Sequence, residues 1–393
     1  MQELETLNVI IAGHIDHGKT TLLYRLSGKW TDTHSEELKR GITIKLGYAD
    51  ITISKNGDYN IKDQGTKQRH ITFIDSPGHE MLMATMLSGA AIVDVAILVV
   101  AANEGVKPQT REHLMALQAK NIKNIIIVQN KIDLVTKEKA IENYEILKKE
   151  FKGTIAENSI IIPVSSQQEI NLERIYEALC DIKMPQRDLT SSPLFLVARS
   201  FDINRPGTKP KDLHGAVIGG TLKSGKLKIG DTIEIKPSIM IKEANQIKYK
   251  TLKTKIISLY NGSIKLNEIT PGGNTAIETE LDMAMGKADT LSGCVVSIEG
   301  LLPEITTKIF IKHHLFKEYV GGIQIPPLKP AETLMLSINT SVTIGFLNKI
   351  SNDIAEISLK IPIVPFKDDK VGIARNVNNH WRLIGYGEII KNS

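Results

Sequence analysis

The chain has 393 residues, 41% hydrophobic and 24% charged, with 49 Lys plus Arg against 44 Asp plus Glu for a formal charge of +5. That length exceeds what one hydrophobic core organises, so two or three domains of an ordinary soluble globular protein are expected. The mild positive excess permits a nucleic-acid partner without demanding one, and the two cysteines, Cys180 and Cys294, can build neither a disulfide framework nor a four-thiolate zinc site.

Two buried apolar thiols in a reducing cytoplasm fit this usage. The first residues carry no signal-peptide pattern. The longest apolar run, residues 90–102, is interrupted by Asp94 and is too short to cross a bilayer. A cytoplasmic protein with no membrane partner is the expectation.

In chain order, residues 9–12, 71–74, 95–100, 125–128 and 160–164 are short apolar runs. Such runs suit strands covered on both faces. Residues 20–26, 80–92, 109–119, 137–152 and 171–182 read as helices between them. Repeated βα units predict a doubly wound, mostly parallel sheet. A polar, proline-bearing stretch at 184–193 then intervenes, and helical periodicity nearly vanishes after it. Short β-rich segments at 194–200, 215–221, 232–236, 253–260, 274–278 and 291–298, separated by glycine turns, suggest a barrel or sandwich. Leu301-Leu-Pro303 marks a second boundary, followed by β segments at 308–314, 332–337, 354–359 and 381–389. The expected organisation is an α/β domain over 1–186 and two all-β barrel domains over 192–301 and 302–393.

Gly13-His-Ile-Asp-His-Gly18-Lys19-Thr20 fits G-x-x-x-x-G-K-[ST], following a strand and opening a helix. Glycines let backbone N–H groups curl around phosphates, and the helix N-terminus favours negative charge. Lys19 is expected at the β- and γ-phosphates and the Thr20 hydroxyl on Mg²⁺. Asp16, His17, Gly18, Lys19, Thr20 and Thr21 are the candidate nucleotide residues of this loop. Asp75-Ser-Pro-Gly78-His79 follows the next predicted strand, with Asp75 where a magnesium-side carboxylate belongs and Gly78 where backbone approaches a γ-phosphate. In Asn130-Lys131-Ile132-Asp133, the Asp133 carboxylate can accept from both the ring N–H and the exocyclic amine of guanine, a donor pair that adenine lacks. Asn130 can brace the loop and Lys131 can cover the base. Ser165-Ser166-Gln167 lies where a backbone N–H meets the guanine carbonyl oxygen. Four such elements in this order, each at a strand's C-terminal end, predict an α/β P-loop GTPase domain with GTP or GDP and Mg²⁺ as ligands.

The set resembles the translational GTPases. In that family the histidine after Pro-Gly positions the attacking water, which implies a catalytic role for His79. Trp30-Thr-Asp-Thr-His-Ser-Glu-Glu-Leu-Lys-Arg-Gly41-Ile-Thr43-Ile-Lys45 resembles the gamma-subunit family of archaeal and eukaryotic translation initiation factor 2. Similar words recur in Pro108-Gln-Thr-Arg-Glu-His-Leu-Met-Ala-Leu117, Arg199-Ser-Phe-Asp-Ile-Asn-Arg-Pro-Gly207, residues 225–235 and Trp381-Arg-Leu-Ile-Gly-Tyr-Gly387. The resemblance implies that Thr43 senses Mg²⁺ and the γ-phosphate, and that a second Mg²⁺ can touch Asp16 and Gly41. It also implies a heterotrimer with alpha and beta subunits, delivery of methionylated initiator tRNA to the small ribosomal subunit, and hydrolysis stimulated by a separate activating factor. Archaeal relatives usually carry a cysteine knuckle before the Asp75 strand. Residues 54–70 contain no cysteine here, so no zinc is expected and a simple β-hairpin takes its place. An elongation-factor-type GTPase carrying elongator aminoacyl-tRNA shares the four elements and the two β domains, and a scaffold with a structural GTP site is a third reading. Lys211, Lys223, Lys226, Lys228, Lys248 and Lys250 can supply a basic surface, though a solvated lysine-rich face accounts for them equally well. His34, His70, His113 and His380 read as ordinary surface or core residues.

Overall fold

The apolar run at 9–12 lies in β1 (Thr6–Gly13), every residue of which after Thr6 is buried. The computed structural model describes residues 4–31, 43, 45–62, 64–79, 82–243, 246–262 and 264–392. Parallel strands covered on both faces need continuous apolar sequence, and β5 (Val95–Ala101) and β6 (Asn124–Asn130) supply it. The seven-stranded sheet runs β3-β2-β4-β1-β5-β6-β7, with β2 (Gly47–Asn56), β3 (Asp58–Asn60), β4 (Thr66–Asp75) and β7 (Ile160–Pro163) completing it. β1, β4, β5, β6 and β7 are mutually parallel, whereas β2 and β3 add an antiparallel edge. The 54–70 segment is therefore a hairpin extension of the sheet, as read. β2 itself escaped the sequence reading, because its apolar residues alternate with polar ones and form no continuous run.

Among the described residues, the helices of this domain are Lys19–Ser27, Met83–Ala90, Pro108–Ala119 and Lys137–Glu150 between strands of the sheet, and Leu172–Asp181 after its last strand. Pro108 occupies the first turn of its helix, where a missing N–H costs nothing. Leu172, Ile175, Tyr176 and Leu179 form the buried stripe of the last helix, a spacing that puts them on one face. That helix ends on Arg69 of β4, whose guanidinium donates to the carbonyls of Leu179 and Ile182, both at 2.7 Å, and pairs with Glu5 at 3.1 Å. A buried cation at a helix C-terminus satisfies carbonyls that the helix cannot.

Chain contacts divide the molecule into two units. The first comprises Met1–Pro185, Leu315–Pro326 and Ala374–Gly385, and the second Gln186–His314, Pro327–Ile373 and Tyr386–Ser393. Beyond the linker, β11 (Thr232–Glu243), β16 (Val295–Ile298), β8 (Leu194–Phe201), β9 (Val217–Ser224), β15 (Thr275–Thr279) and β12 (Gln246–Asn261) run in that spatial order, and pairing of β11 with β12 closes the ring; β13 (Ile264–Leu266) pairs with β12, and β10 (Leu227–Lys228) with β14 (Glu268–Ile269). Phe195, Val197, Ile218, Ile233, Ile235 and Ile277 are among its buried fillings. A second closed barrel contains β17 (Thr306–Leu315), β20 (Ile354–Ile363), β19 (Ser341–Ser351), β18 (Thr333–Ile338), β21 (Lys370–Val377) and β22 (His380–Asn392). β19 and β21 were missing from the sequence reading. β19 has the alternating polar and apolar pattern of a half-exposed strand, without the apolar density that marked its neighbours.

The Leu301-Leu-Pro303 segment between β16 and β17 is pinned by charge. Glu234 accepts the Leu302 N–H at 2.7 Å, and Lys236 Nζ donates to the Leu302 carbonyl at 3.3 Å. Both side chains are buried, and these bonds offset the cost of taking their charges out of water. Lys223 and Lys226 form ion pairs with Asp369 and Glu268 within the second unit.

Candidate functional site

Parallel register decides what meets at the sheet's C-terminal rim. Ile11 pairs with Asp75, Gly13 with Val99, Ala101 with Asn130, and Gln129 with Pro163. Gly13, Asp75, Asn130 and the Ser165 turn thus leave the sheet on one edge, where open α/β sheets bind ligands.

Lys19 and Thr20 open the Lys19–Ser27 helix, with Gly18 as its left-handed cap residue at φ 87°. The Lys19 ammonium donates to the His14 carbonyl at 2.7 Å and so spans the loop. Gly78 approaches it so closely that an added methyl group there would collide with Lys19 Nζ. His79 follows, half-buried, and its carbonyl accepts the Leu82 N–H at 2.9 Å. Asp16 is exposed with φ 60°, and Thr21 is half-buried.

A cluster of oxygens gathers beside the loop. Thr20 Oγ1 donates to Asp75 Oδ2 at 2.9 Å and lies 3.2 Å from Thr43 Oγ1, while Thr31 Oγ1 donates to the same Asp75 oxygen at 3.0 Å. Asp75 is fully buried. Hydroxyl and carboxylate oxygens are hard donors suited to Mg²⁺, so the donor set fits that ion. Gly41 and residues 32–42 and 44 lie outside the described residues, so the proposed second-metal pair is represented by Asp16 alone.

The base-side elements are tied together. Asn130 Nδ2 donates to the His17 carbonyl at 2.9 Å, and its Oδ1 accepts from the backbone N–H of Ser166 at 3.1 Å and the Ser166 hydroxyl at 2.8 Å. One amide thereby staples the phosphate loop to the fourth element. Lys131 adopts φ 61°, and the Ile132 N–H reaches the Val164 carbonyl at 3.3 Å. Asp133 is exposed, and its Oδ1 accepts the Ser165 hydroxyl at 2.6 Å, which orients the carboxylate. Gln167 is exposed. The side chain of His17 is turned inward against β5. It is fully buried, receives the Ala101 N–H at 3.3 Å on Nδ1, and packs edge-on to His14 with ring centres 5.0 Å apart.

The sequence reading leaves Thr31 and Ser76 unassigned and takes His113 as an ordinary surface or core residue. Ser76 Oγ donates to the Ile11 carbonyl at 2.6 Å, and His113 Nδ1 accepts the Gly13 N–H at 2.9 Å. Helical spacing carries a signal for His113, since Thr110, His113, Leu114 and Leu117 fall on one buried face. Nothing in the sequence marks Thr31.

Burial pushes the His113 pKa down to about 3, and nearby Lys19 and His14 act in the same direction. The ordinary value is 6.5. Above that pH the imidazole is neutral folded or unfolded. Below it the unfolded chain binds a proton that the folded chain refuses, so stability falls as pH falls toward the folded pKa. The loss expected from this group is about 1.4 kcal/mol per pH unit, or roughly 2 kcal/mol between pH 7 and pH 5. Denaturant titrations at several pH values should show this slope in the wild type and a correspondingly shallower one in His113→Asn. Equal slopes would remove His113 from the acid sensitivity.

A family description, "Elongation factor Tu GTP binding domain", matches residues 4–185, and another, "Initiation factor eIF2 gamma, C terminal", matches residues 307–389. The translation initiation factor 2 subunit gamma of Methanococcus vannielii is 50% identical over 402 residues, covering 98% of each chain. That of Methanocaldococcus jannaschii is 50% identical over 398 residues, covering 98% of this chain and 97% of the relative. That of Pyrococcus furiosus is 47% identical with the same coverage. Among solved structures, translation elongation factor SelB from Methanococcus maripaludis, in complex with the GTP analogue GppNHp, superposes with a TM-score of 0.76 at 24% identity, covering 100% of this chain and 80% of that one. This last likeness is one of fold. The full-length identities, read with the rim on which the four nucleotide elements converge, establish that the chain belongs to the translation initiation factor 2 gamma-subunit family of GTPases.

Proposed function

We propose that the chain carries methionylated initiator tRNA to the small ribosomal subunit in its GTP form and releases it after hydrolysis, as the core of a heterotrimer with alpha and beta subunits. The observation that carries this reading is the approach of Thr43 to Thr20, which itself donates to Asp75, because it links the segment before β2 to the oxygens beside the phosphate loop. In this reading Lys19 neutralises the β- and γ-phosphates, while Thr20, Thr43 and the Asp75 side hold Mg²⁺. Mg²⁺, when bound, would supply neutralisation of the phosphate charge. Asp133 selects guanine, Asn130 and Ser166 hold the base loop against the phosphate loop, and His79 orients the attacking water. The γ-phosphate favours the state in which Thr43 and the turn after Asp75 are held, and its loss frees them.

Initiator methionyl-tRNA binding should be at least about tenfold tighter with a non-hydrolysable GTP analogue than with GDP, in the presence of the alpha subunit. Equal binding in the two states would reject a nucleotide-switched carrier and favour a scaffold. A preference for elongator over initiator methionyl-tRNA would favour the elongation-factor reading instead.

A further inference from the structure

The Gly13 amide is anchored from outside the phosphate loop. Its N–H donates to Nδ1 of His113, a side chain only 1% exposed, at 2.9 Å. Nδ1 can accept only while the ring carries its single proton on Nε2. Gly13 also has φ 139°, and a side chain there would collide with the Val99 carbonyl oxygen. The peptide that enters the loop is thus set from two sides, by an imidazole and by β5, and neither contact involves the nucleotide. The Pro108–Ala119 helix that presents His113 is itself held. Its adjacent residue Glu112 is buried and ion-paired with Arg382 of the same unit. Without an acceptor, the buried Gly13 N–H would be left unsatisfied. Rotation of that peptide would relieve it and would turn the next amides of the loop away from their common focus.

We propose that His113 is a positioning residue for nucleotide binding: its Nδ1 anchors Gly13 and so sets the direction of the loop amides that receive the phosphates. The inference rests on the reading of residues 13–20 as the phosphate loop. It assigns part of phosphate affinity to a side chain that touches no ligand.

The test uses the full chain and three variants. His113→Asn places an amide oxygen where Nδ1 stood. His113→Gln reaches the Nε2 position instead, and His113→Phe keeps the ring without an acceptor. Dissociation of fluorescent GDP and of a fluorescent GTP analogue is followed by stopped flow, with thermal melting of the nucleotide-free proteins alongside. His113→Phe and His113→Gln should release both nucleotides about tenfold to a hundredfold faster, and His113→Asn should stay within about threefold of wild type. If His113→Phe does not fold, the Asn and Gln variants carry the comparison. Release from His113→Gln as slow as from His113→Asn, or from a folded His113→Phe as slow as from wild type, overturns the inference and leaves the phosphate-loop reading intact. A wild-type chain that takes up no guanine nucleotide overturns both.

Discussion

Replacing His79 with alanine is expected to leave GTP affinity within a few-fold of wild type while lowering stimulated hydrolysis by about a hundredfold to ten-thousandfold. His79 follows Gly78, which lies against Lys19, and the proposed reading puts its imidazole beside the terminal phosphate without making it part of the loop that binds it. A group that only orients or deprotonates water acts on the transition state. Its loss should appear in the chemical step and not in binding. Single-turnover hydrolysis with the activating factor, beside equilibrium titration of a fluorescent GTP analogue, separates the two quantities. Unchanged stimulated turnover would take His79 out of the mechanism, and loss of binding in parallel would assign it a structural part instead.

The second large effect is expected at Asp133. Its carboxylate is positioned by the Ser165 hydroxyl on Oδ1, and Ser165 is itself fully buried. An ionised carboxylate accepting two N–H groups of guanine makes two charge-assisted hydrogen bonds, each contributing about 1.5–3 kcal/mol. Asp133→Asn loses the charge and turns one acceptor into a donor that faces a donor. GTP affinity should fall by about a hundredfold to a thousandfold. Xanthosine triphosphate, which carries a carbonyl where guanine carries its amine, should fall less or improve, because the new amide can donate to it. Competition between the two nucleotides on wild type and variant gives the ratio. A variant that keeps its preference for GTP would show that base selection lies elsewhere.

The two predictions differ in what made them visible. The Asp133 loop and the loop at 13–20 could be proposed as sites directly, because each packs the residue types its chemistry needs into a few consecutive residues at the end of an apolar run. The role proposed for His79 came through resemblance, since a histidine after a proline-glycine turn has no chemistry of its own until a phosphate stands beside it. The parallel sheet was legible because buried strands need unbroken apolar sequence. β2 and β19 were not, because alternation along a half-exposed strand dilutes that signal among polar residues.

Local sequence determined most of the elements themselves: which segments extend and which coil, where the chain passes from βα units to barrels, and which short loops have the residue types for phosphate and guanine chemistry. Those properties depend on periodicity, turn residues and side-chain type over a dozen positions or fewer. Only the tertiary structure decided which distant residues stand together. Asn130 joins the His17 carbonyl to Ser166, Thr31 shares an Asp75 oxygen with Thr20, and the Gly13 amide rests on an imidazole one hundred positions away. Such contacts follow from strand order and register. These are set by the packing of the whole core, so no stretch of sequence contains them.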